Sequence, residues 1–138
     1  MKVFTIGYGG RTKGELLALL KANGVRTVAD IRLSPNSAYM GTWVKAKTPE
    51  KGIESWLAKE NIEYRSFIEL GNRFMGDKDW RERYGALLRD EGERLTERLR
   101  AAPAPYCLLC AEKFAADCHR RLVAAYLAEH YGAETQDL

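Results

Sequence analysis

Residues 106–121 read YCLLCAEKFAADCHRR. The run from Tyr106 to Cys110 is apolar throughout and short, and Pro103 and Pro105 precede it, which predicts a strand covered on both faces. Glu112 and Lys113 fall in the loop after it. Asp117 then opens a helix whose first turn holds Cys118, His119 and Arg120. A buried strand that passes through a loop into a helix is the repeating unit of a parallel α/β sheet, and the rest of the chain shows the same alternation.

Working back towards the N-terminus, the longest helix starts near Asp79. Trp80, Tyr84, Leu87, Leu88, Leu95 and Leu99 lie on one face and Arg and Glu fill the other, until Pro103 and Pro105 end it. Ile62 to Ile68 predicts the third strand, with Glu69 to Arg73 at its carboxyl end. Before it, Thr48-Pro49-Glu50 predicts a helix start, with Ile53, Trp56 and Leu57 on its buried face. A loop of about fifteen residues precedes that helix and carries Asn36, Ser37, Tyr39, Trp43, Lys45 and Lys47; loops of that length in a small domain are usually functional. Val25 to Ile31 is the second strand, stopped by Pro35 and ending with Asp30 and Arg32. Val3 to Ile6 is the first strand and runs into Gly7, Gly9 and Gly10, which admit a close backbone approach. Thr12 and Glu15 form a capping box for a helix that stops at Asn23-Gly24. At the other end, Leu122, Val123, Tyr126, Leu127 and His130 are spaced as a core stripe, and residues 132–138 can add a short last strand.

The expected architecture is one three-layer α/β/α domain over residues 1–138, with a mainly parallel sheet of four or five strands and right-handed crossovers. Such sheets bind ligands at the carboxyl ends of their strands. Gly7 to Gly10, Asp30, Arg32, Glu69 to Arg73, Cys110, Glu112 and Lys113 all fall at that edge.

The chain of 138 residues has a net charge of +3, too mild a bias to indicate a nucleic-acid-binding face. No apolar run reaches a membrane span and no secretory segment precedes the first strand, so a cytoplasmic protein is expected. Three cysteines do not make a disulfide framework, and in a reducing compartment they read as structural, metal-binding or reactive thiols.

TIGYGG (Thr5 to Gly10), DIR with a following SP (Asp30 to Pro35), LG (Leu70-Gly71), LLCAE (Leu108 to Glu112) and CHR (Cys118 to Arg120) together resemble the motif series of a prokaryotic family, domain of unknown function 488. The resemblance spans nearly the whole chain and implies a small α/β domain. It carries no settled biochemical role for the motif residues. Where many relatives have a histidine after T-I-G this chain has Tyr8, and no histidine stands in its C-terminal ETQDL.

The chemistry is therefore read from the residues. Cys118, in the first turn of a helix and near His119, Arg120 and Arg32, is a nucleophile candidate; packing is the alternative. Cys110 ends a buried strand beside Glu112 and can be structural or functional. Cys107 faces the other side of the sheet and reads as core, so Cys107 and Cys110 do not form a redox or zinc-knuckle C-x-x-C. His119 reads as a packed histidine or an acid–base group, and Glu112 as an acid, a base or an orienter of Arg32. Arg32 and Arg120 are candidates for holding an anion, or for buried pairing with Asp30 and Glu112; Gly7, Tyr8 and Gly9 complete the binding set. A phosphatase or rhodanese loop is excluded, because Ala116 stands where the arginine six residues after Cys110 would be.

The leading functional reading is a pocket for a small anionic ligand or nucleotide, serving a thiol-dependent or acid–base enzyme, with no cofactor. A second is nucleic-acid binding or processing through the aromatic and basic loop 32–48, not favoured because aromatic loop residues more often fold back as a lid. A third is transition-metal binding by Cys110, Cys118 and His119, ranked lowest because Cys118 and His119 point about 100 degrees apart on a helix. No membrane partner is expected.

Overall fold

The computed structural model describes residues 1–38 and 40–138. Tyr39, one of the aromatic loop residues, lies outside the described residues. Five strands form one all-parallel sheet: β1 (Lys2–Gly7), β2 (Thr27–Asp30), β3 (Glu63–Ser66), β4 (Tyr106–Cys110) and β5 (Glu134–Asp137), in the order β3-β2-β4-β1-β5. Every residue of β4 is buried, which agrees with its place at the centre of the sheet. Gly7 of β1 lies opposite Cys110 of β4, and Asp30 of β2 opposite Leu109, so the carboxyl ends of β1, β2 and β4 finish side by side.

The alternation of side chains across each strand divides the core into two layers. Phe4, Ile6, Val28, Cys107 and Leu109 face α1 (Lys13–Ala22) and α2 (Gly52–Ala58), packing on Leu16, Leu20, Ile53 and Leu57. Val3, Ala29, Tyr106 and Leu108 face α3 (Trp80–Leu95), a one-turn α4 (Glu97–Arg100) and α5 (Arg120–Tyr131), meeting Tyr84, Leu88, Leu95, Leu99, Val123 and Leu127. Burial of each such side chain stabilises the fold by about 1.5–3 kcal/mol. The chain leaves β1 and β2 over the α1/α2 face but leaves β4 over the α5 face. The loops at the carboxyl ends of β1, β2 and β4 therefore part in opposite directions and leave a crevice between them.

Several boundaries differ from the sequence expectation. Helix α2 starts at Gly52 and not at Thr48, because Lys45 forms an antiparallel bridge to Gly52 and the Ile53 N–H donates to the Val44 carbonyl. Gly52 has a φ of +69°, a conformation open to glycine, so residues 48–51 turn to close that bridge. Strand β3 is shorter than Ile62 to Ile68, since a 3-10 turn occupies Ile68–Leu70. The long helix is divided at Thr96, whose hydroxyl and backbone N–H both donate to the Gly92 carbonyl, at 2.7 and 2.9 Å. Helix α5 starts at Arg120, with His119 as its N-cap and Cys118 before it, so the thiol precedes the helix it was expected to open. His130 is exposed and stacks on Tyr126 at the end of α5 instead of joining the core. The tail forms β5 on β1, its edge tied by Thr5 donating to Asp137 at 2.6 Å.

The long loop after β2 folds back on the molecule. Two 3-10 turns, Pro35–Ser37 and Gly41–Trp43, bury Trp43, which stacks on Tyr8 at 4.8 Å between ring centroids and meets Trp56 edge-on at 5.7 Å. The Trp56 indole N–H donates to the Thr42 carbonyl at 2.9 Å, and the Lys45 N–H to that of Pro35 at 2.9 Å.

The end of β1 is packed so closely that it tolerates no side chain. A Cβ at Gly7 would overlap the Glu112 carbonyl group and lie 2.9 Å from an Arg120 nitrogen. Gly7→Ala is expected to cost about 1–3 kcal/mol, seen by thermal unfolding as a Tm lower by roughly 3–10 °C; an unchanged Tm would contradict this packing.

Candidate functional site

The crevice at the carboxyl edge opens into a cavity of about 480 Å³. Tyr8 follows β1, Arg32, Leu33 and Ser34 follow β2, and Cys110, Ala111 and Glu112 end β4. Ser37 and Ala38 come from the folded-back loop, and Asn72, Met75, Gly76 and Trp80 from the approach to α3. Asp117, Cys118 and His119, leading into α5, close the wall. Of the residues singled out from sequence, the structure brings Tyr8, Arg32, Cys110, Glu112, Cys118 and His119 to this one cavity. Asp30, Gly7, Gly9 and Arg120 lie outside its lining.

Asp30 is fully buried beneath Arg32 and accepts two of its five guanidinium N–H groups, Nε to Oδ1 at 2.8 Å and Nη2 to Oδ2 at 2.6 Å. It also accepts the Arg32 backbone N–H at 3.1 Å and the Tyr64 hydroxyl. Burial alone would lower the Arg32 pKa, but the bidentate hydrogen bonds and charge of Asp30 raise it above the ordinary value. Burial raises the Tyr64 phenol, and the Asp30 carboxylate raises it further, so it stays a donor. The remaining Arg32 nitrogen, Nη1, donates to the Tyr8 hydroxyl at 3.4 Å, and the guanidinium lies 5.3 Å from the Tyr8 ring centre. Asp30 thus neutralises Arg32 and, with Tyr8, fixes it at the cavity wall.

Arg120 occupies a different place from the one its sequence position suggests. Its side chain turns inward from α5 across the end of β1 and is 1% exposed. Nε donates to the Thr5 hydroxyl at 3.3 Å, Nη1 to the Glu112 backbone carbonyl at 2.7 Å and to Cys110 Sγ at 3.1 Å, and Nη2 to the Lys113 carbonyl at 3.3 Å. Among the described residues no carboxylate lies within ion-pair distance of it. The nearest relay is through Thr5, which passes its own hydrogen bond to Asp137. Burial lowers the Arg120 pKa and the Asp137 charge opposes that; a guanidinium keeps its proton even so. Expected pairing with Glu112 takes the form of a bond to its backbone, while the Glu112 side chain stays exposed at the cavity.

The two sulfurs at the cavity floor, Cys110 and Cys118, are joined as a disulfide. All three cysteines read as separate thiols in the sequence. The pairing arises because Cys110 shares the strand face of Leu108, the face that α5 covers, and Cys118 stands where that helix begins. Cys107 is the free thiol, wholly buried on the opposite face, where burial pushes its pKa well up.

His119 is fixed from both sides. Its Nε2 lies 2.9 Å from the Ile31 carbonyl, an oxygen that can only accept, so Nε2 carries the proton and Nδ1 presents its lone pair. Nδ1 lies 3.6 Å from Cys118 Sγ, and the Arg120 backbone N–H donates to the same sulfur at 3.4 Å. The Tyr84 ring packs edge-on to the imidazole at 5.2 Å. Burial lowers the His119 pKa, the Ile31 and Leu70 carbonyls oppose this and the Arg120 charge adds to it, so the neutral imidazole is favoured.

Asn72, expected at this edge as part of Glu69 to Arg73, lines the cavity. The sequence alone does not single out Tyr64, Thr5 and Trp80 for the site; Thr5 lies within TIGYGG, so position alone could have flagged it, whereas the Tyr64 hydroxyl meets Asp30 only through the β2–β3 register. Metal binding through Cys110, Cys118 and His119 fits poorly. The two sulfurs face each other, Nε2 is bonded to Ile31, and among the described residues no group of three or more His, Cys, Asp or Glu side chains could hold an ion. Trp43, offered above as a stacking platform for bases, is buried against Tyr8 and Trp56. No helix among the described residues is long and apolar enough to cross a membrane.

The family model described as domain of unknown function DUF488 matches residues 13–127, most of the chain and most of the cavity. The chain belongs to that family. No curated protein and no solved structure matches it. Within this DUF488 chain, the pH dependence of stability tests the state of His119. An unfolded histidine takes up its proton near pH 6.5, whereas the folded one does so lower, so the unfolded state binds more protons as pH falls through 6.5 and the fold loses stability there. Thermal unfolding of wild type and His119→Gln should show the Tm advantage of wild type narrowing from pH 7.5 to 5. A gap independent of pH would mean that His119 titrates normally.

Proposed function

We propose that this chain is a thiol-dependent enzyme acting on a small anionic substrate in the cavity at the carboxyl edge of its sheet. The observation that carries the reading is the distinct partner set of each sulfur: the Arg120 guanidinium 3.1 Å from Cys110, and the unprotonated Nδ1 of His119 3.6 Å from Cys118. With the bond between them reduced, Cys110 is the natural counter-ion of a buried cation and is held as a thiolate. Cys118 gives its proton to His119 Nδ1, which can return it to a leaving group. The Glu112 carboxylate, exposed at the same wall, is the second acid–base group.

The volume suits a small molecule and not a polymer. Arg32, held by Asp30, and the Tyr8 hydroxyl beside it supply the polar side of the cavity for the anionic part of the substrate, with Asn72, Ser34 and Ser37 around them. The proposed setting is the cytoplasm, where cellular thiols keep the Cys110–Cys118 bond open for this chemistry.

The test is the pH dependence of iodoacetamide labelling of the reduced native protein, read residue by residue by mass spectrometry. Cys110 should label with an apparent pKa clearly below the usual thiol value of about 8.5, moving upward in Arg120→Gln, while Cys107 stays unlabelled until unfolding. Ordinary thiol behaviour at both Cys110 and Cys118, or inertness of both, would overturn the proposal.

A further inference from the structure

Resting on that reading, we propose that Cys110 and Cys118 form a reversible dithiol–disulfide couple that exchanges electrons with low-molecular-weight disulfides entering the cavity. Four observations carry it. The two sulfurs are bonded to each other. Both line the cavity, so a small reagent can reach either sulfur without unfolding, whereas at 3% and 4% exposure neither is open to a disulfide on the surface of a folded protein.

The segment between them is also built to let them part. Glu112 and Lys113 are held by Arg120, but residues 114–117 are largely exposed and contain a single 3-10 turn, Ala115–Asp117, so opening the bond at the Cys118 end displaces little packed structure. Finally, each sulfur keeps a distinct partner once reduced. Cys110 faces a buried guanidinium that lacks a carboxylate within ion-pair distance, and Cys118 faces a neutral imidazole whose tautomer is fixed by the Ile31 carbonyl.

The exchange follows from these partners. The Cys110 thiolate attacks one sulfur of a reagent R–S–S–R; the reagent's S–S bond breaks, RS⁻ leaves, and a mixed disulfide forms on Cys110. Cys118 passes its proton to His119 and attacks the Cys110 sulfur, forming the Cys110–Cys118 bond and expelling the second RS⁻, which His119 reprotonates. The first RS⁻ takes its proton from solvent. In sum the reagent gains two electrons and two protons and becomes two thiols, and the protein dithiol becomes the disulfide. Run in reverse, the same steps let a small thiol reduce the protein.

The experiment equilibrates the full chain in buffers of reduced and oxidised glutathione at a series of ratios, quenches with acid, alkylates the remaining thiols and weighs the peptides. The expected result is interconversion of Cys110 and Cys118 as one two-electron unit with a single midpoint, while Cys107 remains a thiol. Cys118→Ser should trap one glutathione on Cys110 as a mixed disulfide that wild type does not accumulate. Free thiols at every ratio, a separate glutathione on each cysteine of wild type, or oxidation only by a protein disulfide such as that of insulin would each overturn the couple. The wild-type titration decides the matter even where the variant does not fold. Fast labelling of reduced Cys110 without an internal bond at any ratio would sink the couple and leave the thiol-enzyme reading standing, whereas thiols inert in both experiments would sink both.

Discussion

A guanidinium taken out of water must find several acceptors or a counter-charge, and the carboxyl edge of this sheet is arranged around one that does so. Arg120 reaches from the first turn of α5 to Thr5 on β1, to the carbonyls of Glu112 and Lys113 in the loop after β4, and to Cys110 at the end of β4. One side chain therefore fixes the position of a strand, a loop and a helix relative to one another. Gly7 has no side chain because the Glu112 carbonyl and this guanidinium occupy the space where one would stand. Removing a buried charge from its partners costs more than the partners gain by meeting, so such a group enforces geometry more than it adds stability. The floor of the cavity inherits that rigidity, while its mouth, with Leu33 and Met75 exposed, does not.

A second buried ion, Arg32, is handled in the opposite way. Asp30 neutralises it with two short hydrogen bonds, and Tyr64 holds the carboxylate from the neighbouring strand. The pair lies on the α1/α2 side of β2, and Cys110 and Arg120 lie on the α5 side of β4 and β1. The cavity thus joins two electrostatically different halves. One is a closed, neutral pair that offers only an outward edge of guanidinium. The other is a cation balanced by carbonyl dipoles and a sulfur. They meet because the strand order sends the connections from β2 and β4 to opposite faces.

Much of this was legible in the chain as written, and the limits are physical. Alternation along β4 separates Cys107 from Cys110, and it follows directly from the two-residue period of a strand. The convergence of Tyr8, Arg32, Cys110 and Glu112 follows from parallel strands with their carboxyl ends in register. What could not be read depends on partners distant in sequence. The start of α2 is decided by a bridge between Lys45 and Gly52, which outweighs the capping signal of Thr48-Pro49-Glu50. The inward turn of Arg120 depends on the bare backbone at Gly7, more than a hundred residues earlier, and the pairing of Cys110 with Cys118 on where α5 begins beside the end of β4. Trp43 reads as an exposed loop aromatic until Tyr8 and Trp56 are seen on either side of it. Local pattern predicts which face a residue takes; it does not predict what stands opposite.

On the proposed couple, the oxidation state of the two sulfurs also sets the charge of the site. In the reduced form the Cys110 thiolate lies 3.1 Å from the Arg120 guanidinium, and the two cancel at the cavity floor. Forming the Cys110–Cys118 bond removes that negative charge and leaves the guanidinium with carbonyl dipoles and the distant relay through Thr5 to Asp137. Cys118 and His119 together carry no net charge in the reduced form whichever of them holds the shared proton, and the Asp30–Arg32 pair does not change, so neither offsets the difference. The oxidised site is therefore more positive by one charge, in a place where low exposure weakens screening. An anion in the cavity is held more tightly by the disulfide form, and by linkage its binding favours that form. The proposed anion binding and the proposed thiol chemistry, two separate expectations for the same edge, are on this proposal coupled through a single buried arginine.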